Sequence, residues 1–388
     1  MRRSLAAVLL LAVVACGGET QSQLKVASQN LYLGGPIFAV IAAPDAQAAA
    51  VATFQIWSTV QFTNFPARAQ VIASDIAAQN PDVIGLQEVT TWRTGPAAVC
   101  AGADPSAPTA SNVQYDFLTL LLTALQAKGA EYVVAQKTQS FDAELCAVDP
   151  SQATAPFDVR YTDSDVILVR KGLATRNPDG GIYAAGLEVP IPGTTFTVAD
   201  YRAWNVVEVE KDGQWYRVFE THLETAEELA PLLPPGVPPY IFQLSQAGEL
   251  VGTQIVPRRV SNPIPTILVG DFNSKAEAPP DDPLRTTYNY LTGATPFPDL
   301  GIPELAPLVG TTSPLDDAWT ATNGSAAGLT WGADVDLTTR TLSQRLDLIL
   351  YWDAKPVSMT TFGTSGQTST TPPLYSSDHI GIAAVIEP

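Results

Sequence analysis

The chain has 388 residues, of which 46% are hydrophobic and 15% charged, and its formal net charge is −18. This length suits one large α/β domain as well as two smaller ones. The strong negative charge argues against non-specific attraction to nucleic acid or to anionic membranes. It does not exclude a nuclease, because a bound divalent metal ion changes the local field at a site.

The chain begins with a segment that is typical of a secretory signal. Residues 1–15 combine two arginines with a short apolar run, and Cys16 follows. The letters VVAC before two glycines resemble the bacterial lipoprotein cleavage box, which implies a lipid on Cys16; the alternative is an ordinary signal peptide with an incidental cysteine. We expect an exported protein, either anchored by this lipid to the outer membrane or cell surface, or secreted. Residues 16–23 would be a polar spacer and 24–388 a single domain.

Export has consequences for the charge and for the remaining cysteines. Removing Arg2 and Arg3 from 21 basic residues leaves 19 against 39 acidic ones, a net charge of −20. If Cys16 carries lipid, Cys100 and Cys146 are the two cysteines left, an even number in an oxidising compartment. We predict a disulfide between them; the alternative is two separate thiols.

The hydrophobic pattern predicts alternating helices and strands along the rest of the chain. Predicted helices cover 36–65, a possible insertion, and 66–79, 115–129 and 240–255. Predicted strands cover 24–30, 82–87, 131–136, 164–172, 203–224, 265–271, 345–352 and 378–386, with a hairpin turn at Asp212-Gly213. Irregular stretches are expected at 93–111, 138–162, 231–239 and 361–373.

Polar residues able to bind metal or phosphate stand at the ends of several apolar runs. They are Asn30, Glu88, His222, the pair Asp271 and Asn273, and Asp378-His379, with Asp347 inside a further strand. Chance readily supplies one or two such positions, since strand ends are commonly polar, but six are harder to explain in that way. The chain has only two histidines, and both belong to this pattern.

The motifs that carry these residues resemble those of the endonuclease/exonuclease/phosphatase superfamily. They are LKVASQN, PDVIGLQEV, THLE, ILVGDFNS, GLTW with QRLDLIL, and YSSDHIGI, in the order of that family and between residues 24 and 386. The family includes deoxyribonucleases, abasic-site endonucleases, sphingomyelinases and inositol polyphosphate 5-phosphatases. The resemblance implies a four-layer α/β sandwich, with two packed mixed β-sheets flanked by helices and the site at one end.

The resemblance also implies a metal site. Glu88 would be the principal Mg²⁺ ligand, with Asn30 beside it at the metal and the phosphate, and Asp378 close to the ion. Hard Mg²⁺ prefers carboxylate and water oxygens and needs few protein ligands. Mn²⁺ and Ca²⁺ are the alternative ions.

The remaining motif residues would carry the hydrolysis. Asp271 and Asn273 would position and deprotonate the attacking water and bind a phosphoryl oxygen. His379 would contact the scissile phosphate or act as the base, oriented by Asp347, and His222 would stabilise the transition-state charge or protonate the leaving oxygen. Such chemistry requires an activated water and stabilisation of developing charge. The sequence leaves open whether Asp271 or His379 is the base.

Some positions depart from particular subfamilies. Tyr32 stands where abasic-site endonucleases have an acidic residue, and NLYLGG is closer to the first strand of bacterial sphingomyelinases. Arg160 and Tyr161 are candidate counterparts of the arginine and tyrosine with which nuclease members grip the phosphate backbone; the alternative is an ordinary surface pair.

These observations predict an exported, monomeric, Mg²⁺-dependent phosphoesterase acting on a phosphodiester or phosphomonoester. A phospholipid or other small phosphodiester is favoured, because the mature charge is strongly negative and no Lys/Arg cluster lies near the motifs. One alternative is an extracellular endonuclease or exonuclease on DNA or RNA. An alternative of another class is a non-catalytic binding protein on the same fold.

Overall fold

The structure is a computed structural model that describes residues 22–190 and 197–388. The predicted signal segment and Cys16 lie outside the described residues. In chain order the strands are β1 Leu24–Asn30, β2 Val83–Gln87, β3 Thr91–Gly95, β4 Asn112–Asp116, β5 Tyr132–Ala147, β6 Phe157–Arg170, β7 Thr175–Ile182, β8 Leu187–Pro190, β9 Thr197–Asp200, β10 Ala203–Lys211, β11 Gln214–His222, β12 Thr266–Asp271, β13 Asp316–Asp317, β14 Trp331–Ala333, β15 Arg340–Gln344, β16 Asp347–Trp352, β17 Lys355–Phe362 and β18 Gly381–Glu387.

The α-helices are mostly short. They are α1 Phe38–Ile41, α2 Ala46–Phe62, α3 Phe65–Gln79, α4 Phe117–Ala127, α5 Ala226–Leu229, α6 Ile241–Glu249, α7 Val256–Ser261, α8 Thr286–Leu291 and α9 Ala318–Asn323. A π-helical segment, Leu250–Ile255, joins α6 to α7. Within the described residues, no helix has the length and hydropathy needed to cross a bilayer.

Two large mixed sheets form the centre of the fold. The first sheet has the order β17-β18-β1-β2-β6-β3-β4, with β5 paired along the other edge of β6. The second sheet has the order β13-β16-β12-β11-β10-β7. Each contains a parallel pair, β1 with β2 and β11 with β12, whose neighbours are antiparallel. Both strands of each parallel pair therefore end on the same side of their sheet.

The sheets pack face to face, and helices cover their outer faces. Alternate residues of the central strands, such as Val26, Val218 and Ile267, form the apolar layer between the sheets. Helices α2, α3 and α4 pack on the first sheet, and α6 and α8 on the second. The predicted four-layer α/β sandwich is thereby confirmed. The prediction of a buried helix within 36–65 is also confirmed, since α2 buries Ile56, Trp57 and Val60.

The prediction that residues 138–162 are irregular is wrong. Most of it belongs to β5 and β6, which pair from Tyr132 opposite Arg170 to Ala147 opposite Phe157. The second half of β5 does alternate, with Phe141, Ala143, Leu145 and Ala147 on one side and Asp142, Glu144 and Cys146 on the other. The strand lies on a sheet edge and two of its four alternating apolar residues are alanines, so this pattern is weak. The loop predicted at 361–373 likewise starts too early, because β17 runs to Phe362.

The predicted disulfide is confirmed. Cys146 on β5 is bonded to Cys100 in the segment after β3, with 4.7 Å between their Cα atoms. The bond fixes the irregular segment after β3 to the edge strand of the first sheet.

Gly270 is required by the packing of β12 against β11. It lies beside Thr221 in the parallel pairing, and a Cβ atom at Gly270 would stand 1.9 Å from the carbonyl oxygen of Thr221. Any side chain would therefore separate two strands that end one residue later, at His222 and Asp271.

We expect Gly270→Ala to lower the free energy of unfolding by about 3 kcal/mol, because backbone must move to admit the methyl group. Urea denaturation followed by circular dichroism measures the change. Gly252→Ala is the matched control: its Cβ would meet only the Cδ2 atom of the flexible Leu308 side chain, at 2.6 Å. Equal midpoints for Gly270→Ala and wild type would contradict this view of the strand contact.

Candidate active site

The predicted site residues stand at the last inward-facing positions of the central strands. Asn30 ends β1, His222 ends β11, Asp271 ends β12, and Asp347 begins the antiparallel β16. In the second sheet His222 is aligned with Asp271, and Asp271 with Asp347. Because side chains alternate across a sheet, these residues continue the rows that form the apolar layer further inside. The sandwich therefore ends in a polar layer instead of an apolar one.

Asn30 connects the two sheets at this end. Its Nδ2 group donates to Glu88 Oε1 at 2.9 Å and to Asp271 Oδ2 at 3.0 Å. Its Oδ1 accepts from the backbone N–H of Tyr32 at 2.9 Å. Asn30 thus orients two carboxylates as a donor, and the sequence-based expectation that it stands beside Glu88 agrees with this geometry.

Backbone conformation turns two of the side chains toward the cleft. Glu88, directly after β2, and Asn273, after β12, have φ angles of 56° and 50°, in the left-handed region. The Glu88 carboxylate accepts from the backbone N–H of Leu33 at 2.5 Å, and Asp271 accepts from that of Asn273 at 2.9 Å. Non-glycine residues seldom adopt this conformation, and such residues cluster at functional sites.

His379 lies between two carboxylates. Its Nδ1 is 2.8 Å from Asp347 Oδ2, and its Nε2 is 3.5 Å from Asp271 Oδ2. Burial alone would lower the pKa of His379, but Asp347, Asp271 and Asp378 together raise it well above the ordinary value. Burial raises the pKa of Asp271 to about 6. Asp347 fixes the ring so that Nε2 faces the cleft.

His222 has a different environment. Its Nε2 is 3.1 Å from Asn273 Nδ2 and 3.6 Å from Asp271 Oδ2. Arg202 approaches the ring with its Nη1 atom 3.2 Å from Nδ1, and is itself held by Glu224 at 2.8 Å. Burial, with the charge of Arg202, lowers the pKa of His222 well below its usual value. The two histidines of the site therefore favour opposite protonation states.

Glu88 and Asp378 are the side chains whose chemistry suits a hard metal ion. Burial, with the nearby charges of Asp378 and Asp163, raises the pKa of Glu88 to about 8. Asp378 accepts from Trp331 Nε1 at 3.2 Å and from Ser377 Oγ at 3.3 Å. In the described parts of the chain, neither Glu88 nor Asp378 forms an ion pair with Lys or Arg. A divalent cation would supply the missing positive charge.

Two other groups offer ligand atoms within 4.8 Å of one another. Asp271, Asp347 and His379 form one of them, but their hydrogen bonds already join these atoms, and a metal ion would break the 2.8 Å contact between Asp347 and His379. The other group contains Cys100 and Cys146, whose sulfur atoms are bonded to each other. Glu88 and Asp378 therefore remain the better metal ligands.

Arg160 and Tyr161 lie on opposite faces of β6. The Arg160 guanidinium binds Asp142 through Nε at 2.7 Å and Nη2 at 2.6 Å, away from the cleft. The predicted phosphate contact of Arg160 is therefore wrong, because adjacent residues of a strand point to opposite sides. Tyr161 does line the cleft, stacked between Trp92 and Phe141 with ring centroids 4.8 and 4.6 Å away.

Three cleft residues were missed from the sequence: Arg202, Asp163 and Asp200. Arg202 lies just before β10, where no apolar run ends, and Asp163 lies inside β6, between the predicted irregular stretch 138–162 and the predicted strand 164–172. Asp200 ends the short β9, and burial, with the charge of Glu224, raises its pKa to about 7.

The cleft is acidic. Its described lining contains one Lys or Arg side chain, Arg202, which is paired with Glu224. Its acidic lining residues are Glu88, Asp163, Asp200, Glu227, Glu228, Asp271, Asp334 and Asp378.

Comparison with solved structures supports the fold. The structure is similar to a mannosyl-6-phosphatase of Bacteroides thetaiotaomicron, with a TM-score of 0.50, 14% identity, and 94% of this chain and 99% of that chain covered. It is also similar to a truncated TDP2 of Caenorhabditis elegans, with a TM-score of 0.48, 16% identity, and 94% and 98% covered. None of the curated proteins compared matches the chain.

The family itself is shown by a sequence model. The model of the Endonuclease/Exonuclease/phosphatase family matches residues 56–379, which include Glu88, His222, Asp271, Asp347 and His379. Enzymes of this family generally use divalent metals. The resemblance seen in the motifs is confirmed, and the chain belongs to the Endonuclease/Exonuclease/phosphatase family, whose members are phosphoesterases and nucleases.

Proposed function

We propose that this protein is a Mg²⁺-dependent phosphoesterase that hydrolyses a phosphodiester or phosphomonoester by attack of an activated water. One observation carries the proposal: a single carboxylate oxygen, Asp271 Oδ2, lies within 3.0 Å of Asn30 Nδ2, 3.5 Å of His379 Nε2 and 3.6 Å of His222 Nε2. A proton acceptor and groups able to stabilise phosphoryl oxygens thus face one point in a cleft.

The contacts of each residue indicate its role in the hydrolysis. Asp271 takes the proton from the attacking water, His379 beside it contacts the scissile phosphate, and Asp347 keeps the His379 ring in position. The Asn273 amide binds a phosphoryl oxygen, held by its contact with the backbone oxygen of Leu223 at 2.9 Å. His222, beside Asn273, stabilises the leaving oxygen.

Glu88 and Asp378 would hold the Mg²⁺ ion, with Asn30 orienting the Glu88 carboxylate. When bound, the ion stabilises negative charge on the phosphate. Carboxylate oxygens are its preferred protein ligands.

We propose a phospholipid or another small phosphodiester as the substrate class. Nucleic-acid binding depends on Lys and Arg side chains that neutralise successive phosphates. The described cleft presents eight acidic side chains, and its Arg202 is already paired with Glu224. An extended polyanion would be repelled, whereas one phosphate at the metal site would not.

Site variants test the assigned roles. We expect Asp271→Asn, His379→Ala and Glu88→Gln each to lower kcat on bis(p-nitrophenyl) phosphate by at least about 100-fold, with unchanged near-UV circular dichroism. Asp353→Asn and Glu131→Gln are matched controls on exposed surface ion pairs and should keep full activity. Near-wild-type turnover in His379→Ala would refute the proposed site.

The metal requirement and the substrate class are tested together. With Mg²⁺ the protein should release the phosphorylated headgroup from vesicles of phosphatidylcholine and sphingomyelin and leave supercoiled plasmid intact. EDTA should abolish release and added Mg²⁺ restore it, because within the described residues neither Glu88 nor Asp378 pairs with Lys or Arg. Plasmid nicking without headgroup release would overturn the substrate class, and activity in EDTA would overturn the metal requirement. Inactivity on every phosphoester would favour the non-catalytic binding protein.

We also propose that the protein is exported and anchored through lipid on Cys16. The disulfide between Cys100 and Cys146 supports export, because such bonds persist in oxidising compartments.

Cys16→Ser should move the protein from the membrane pellet to the soluble fraction or the medium. The expected cause is loss of the acyl chains, so radiolabelled palmitate should mark the wild type and not the variant. Fractionation of expressing cells measures both. Equal retention of the variant in the pellet would contradict the anchor.

A further inference from the structure

An apolar cavity lies beside the catalytic cleft. It is bounded on one side by α1 and α2 and on the other by the helix-covered face of the first sheet. Its walls include Val40, Ile56, Trp92, Ala143 and Val159, each at most 8% exposed. The cavity offers about 70 Å³ of accessible space and is partly open to solvent, so it suits a short hydrocarbon segment.

Two of the polar groups in these walls are already satisfied. The Thr53 hydroxyl donates to the Ala49 carbonyl of its own helix at 2.9 Å, and Trp92 Nε1 donates to the Leu33 carbonyl at 2.9 Å. The charged lining residue is Asp200. Water inside would find few partners, whereas a hydrocarbon group would lose nothing by leaving water for these walls.

The cavity and the catalytic cleft share part of their walls. Ile37, Phe141, Tyr161 and Asp200 line both. The Tyr161 ring stands between them, and the charges of Asp163 and Glu88 act on its hydroxyl from the cleft side. A molecule whose phosphate occupies the cleft can therefore extend an apolar substituent toward the cavity past Ile37 and Phe141, the apolar residues of this shared wall.

We propose that this cavity binds a short segment of the substrate's hydrocarbon chain, so that the protein acts on an amphiphilic phosphoester with part of one chain in the cavity and its phosphate in the cleft. The inference rests on the proposed phosphoesterase function and narrows its substrate class. The contrast between the walls carries it: the cleft lining is mostly acidic and polar, whereas the cavity lining is almost entirely apolar. A nucleotide has no hydrocarbon group to fill such a cavity.

The test compares two esters that differ only in chain length, methyl p-nitrophenyl phosphate and octyl p-nitrophenyl phosphate, each as monomers with Mg²⁺. One buried methylene contributes about fourfold in affinity, so a partly filled cavity should give an octyl-to-methyl ratio of kcat/KM of at least about 10. A ratio near one would overturn the inference while leaving the phosphoesterase function intact.

Variants that fill the cavity locate the effect. Ala143→Leu on β5 and Thr53→Leu on α2 fill it from opposite sides, and each should lower the octyl-to-methyl ratio at least about fivefold. Ala127→Leu makes the same change at an exposed helix position and should leave the ratio unchanged. The second filling variant keeps the test valid if one of them fails to fold. An unchanged ratio in a folded filling variant would overturn the inference.

Binding separates this inference from the proposed function. Calorimetric titration with octyl phosphate and with methyl phosphate measures occupancy without turnover, and the octyl compound should bind at least about tenfold more tightly, with a negative heat-capacity change. If neither ester is hydrolysed, the phosphoesterase function fails, and this titration still decides whether the cavity takes a chain. Equal affinity for the two phosphates would overturn the cavity assignment.

Discussion

The two hydrogen bonds donated by the Asn30 amide are the constraint on which the site depends. They join Glu88 of the first sheet to Asp271 of the second, at 2.9 and 3.0 Å, where the two parallel strand pairs end. One amide can hold both carboxylates only if the sheets keep their separation and register. The glycines at close approaches preserve this spacing: a Cβ at Gly85 would lie 2.6 Å from Val269 of the opposite sheet. The packing of the two sheets therefore determines the geometry of the site.

The layer beneath the site shows how that packing changes from apolar to polar. Glu220 lies two positions before His222 on β11, on the same side of the strand. It accepts hydrogen bonds from Gln87 at 2.9 Å and from Asn205 at 2.8 Å, and so connects both sheets. Burial raises the pKa of Glu220 to about 8. Further inside, the same rows hold only apolar residues. Hydrophobic burial thus stabilises the far end, while the directional contacts of the polar layer fix the register that the catalytic side chains need.

The sequence predicts those parts of the fold in which one strand carries both the apolar run and the site residue. Strands β1 and β11 contain polar residues such as Ser28 and Arg217, but β2 and β12 are buried on both faces, so their apolar runs are nearly continuous and the polar residue that ends or follows each is conspicuous. The edge strand β5 has no such run, so its pairing with β6, and with it the position of Arg160, could not be read. Arg202 and Asp200 reach the cleft through tertiary packing alone, and local sequence carries no signal for that.

The apolar cavity could not be predicted from the sequence, for a related reason. Its walls come from α1, α2 and five strands, and most wall residues taken singly look like ordinary core. The cavity beside the cleft becomes visible only in the folded structure, where the sheet's outer face, the helices above it and the ring of Tyr161 come together. The left-handed backbone at Glu88 is equally invisible, because glutamate does not favour that conformation. Its strain is tolerated where hydrogen bonds from Asn30 and Leu33 hold the carboxylate, so local sequence preference is overruled at the position where the proposed metal ion would require a particular direction.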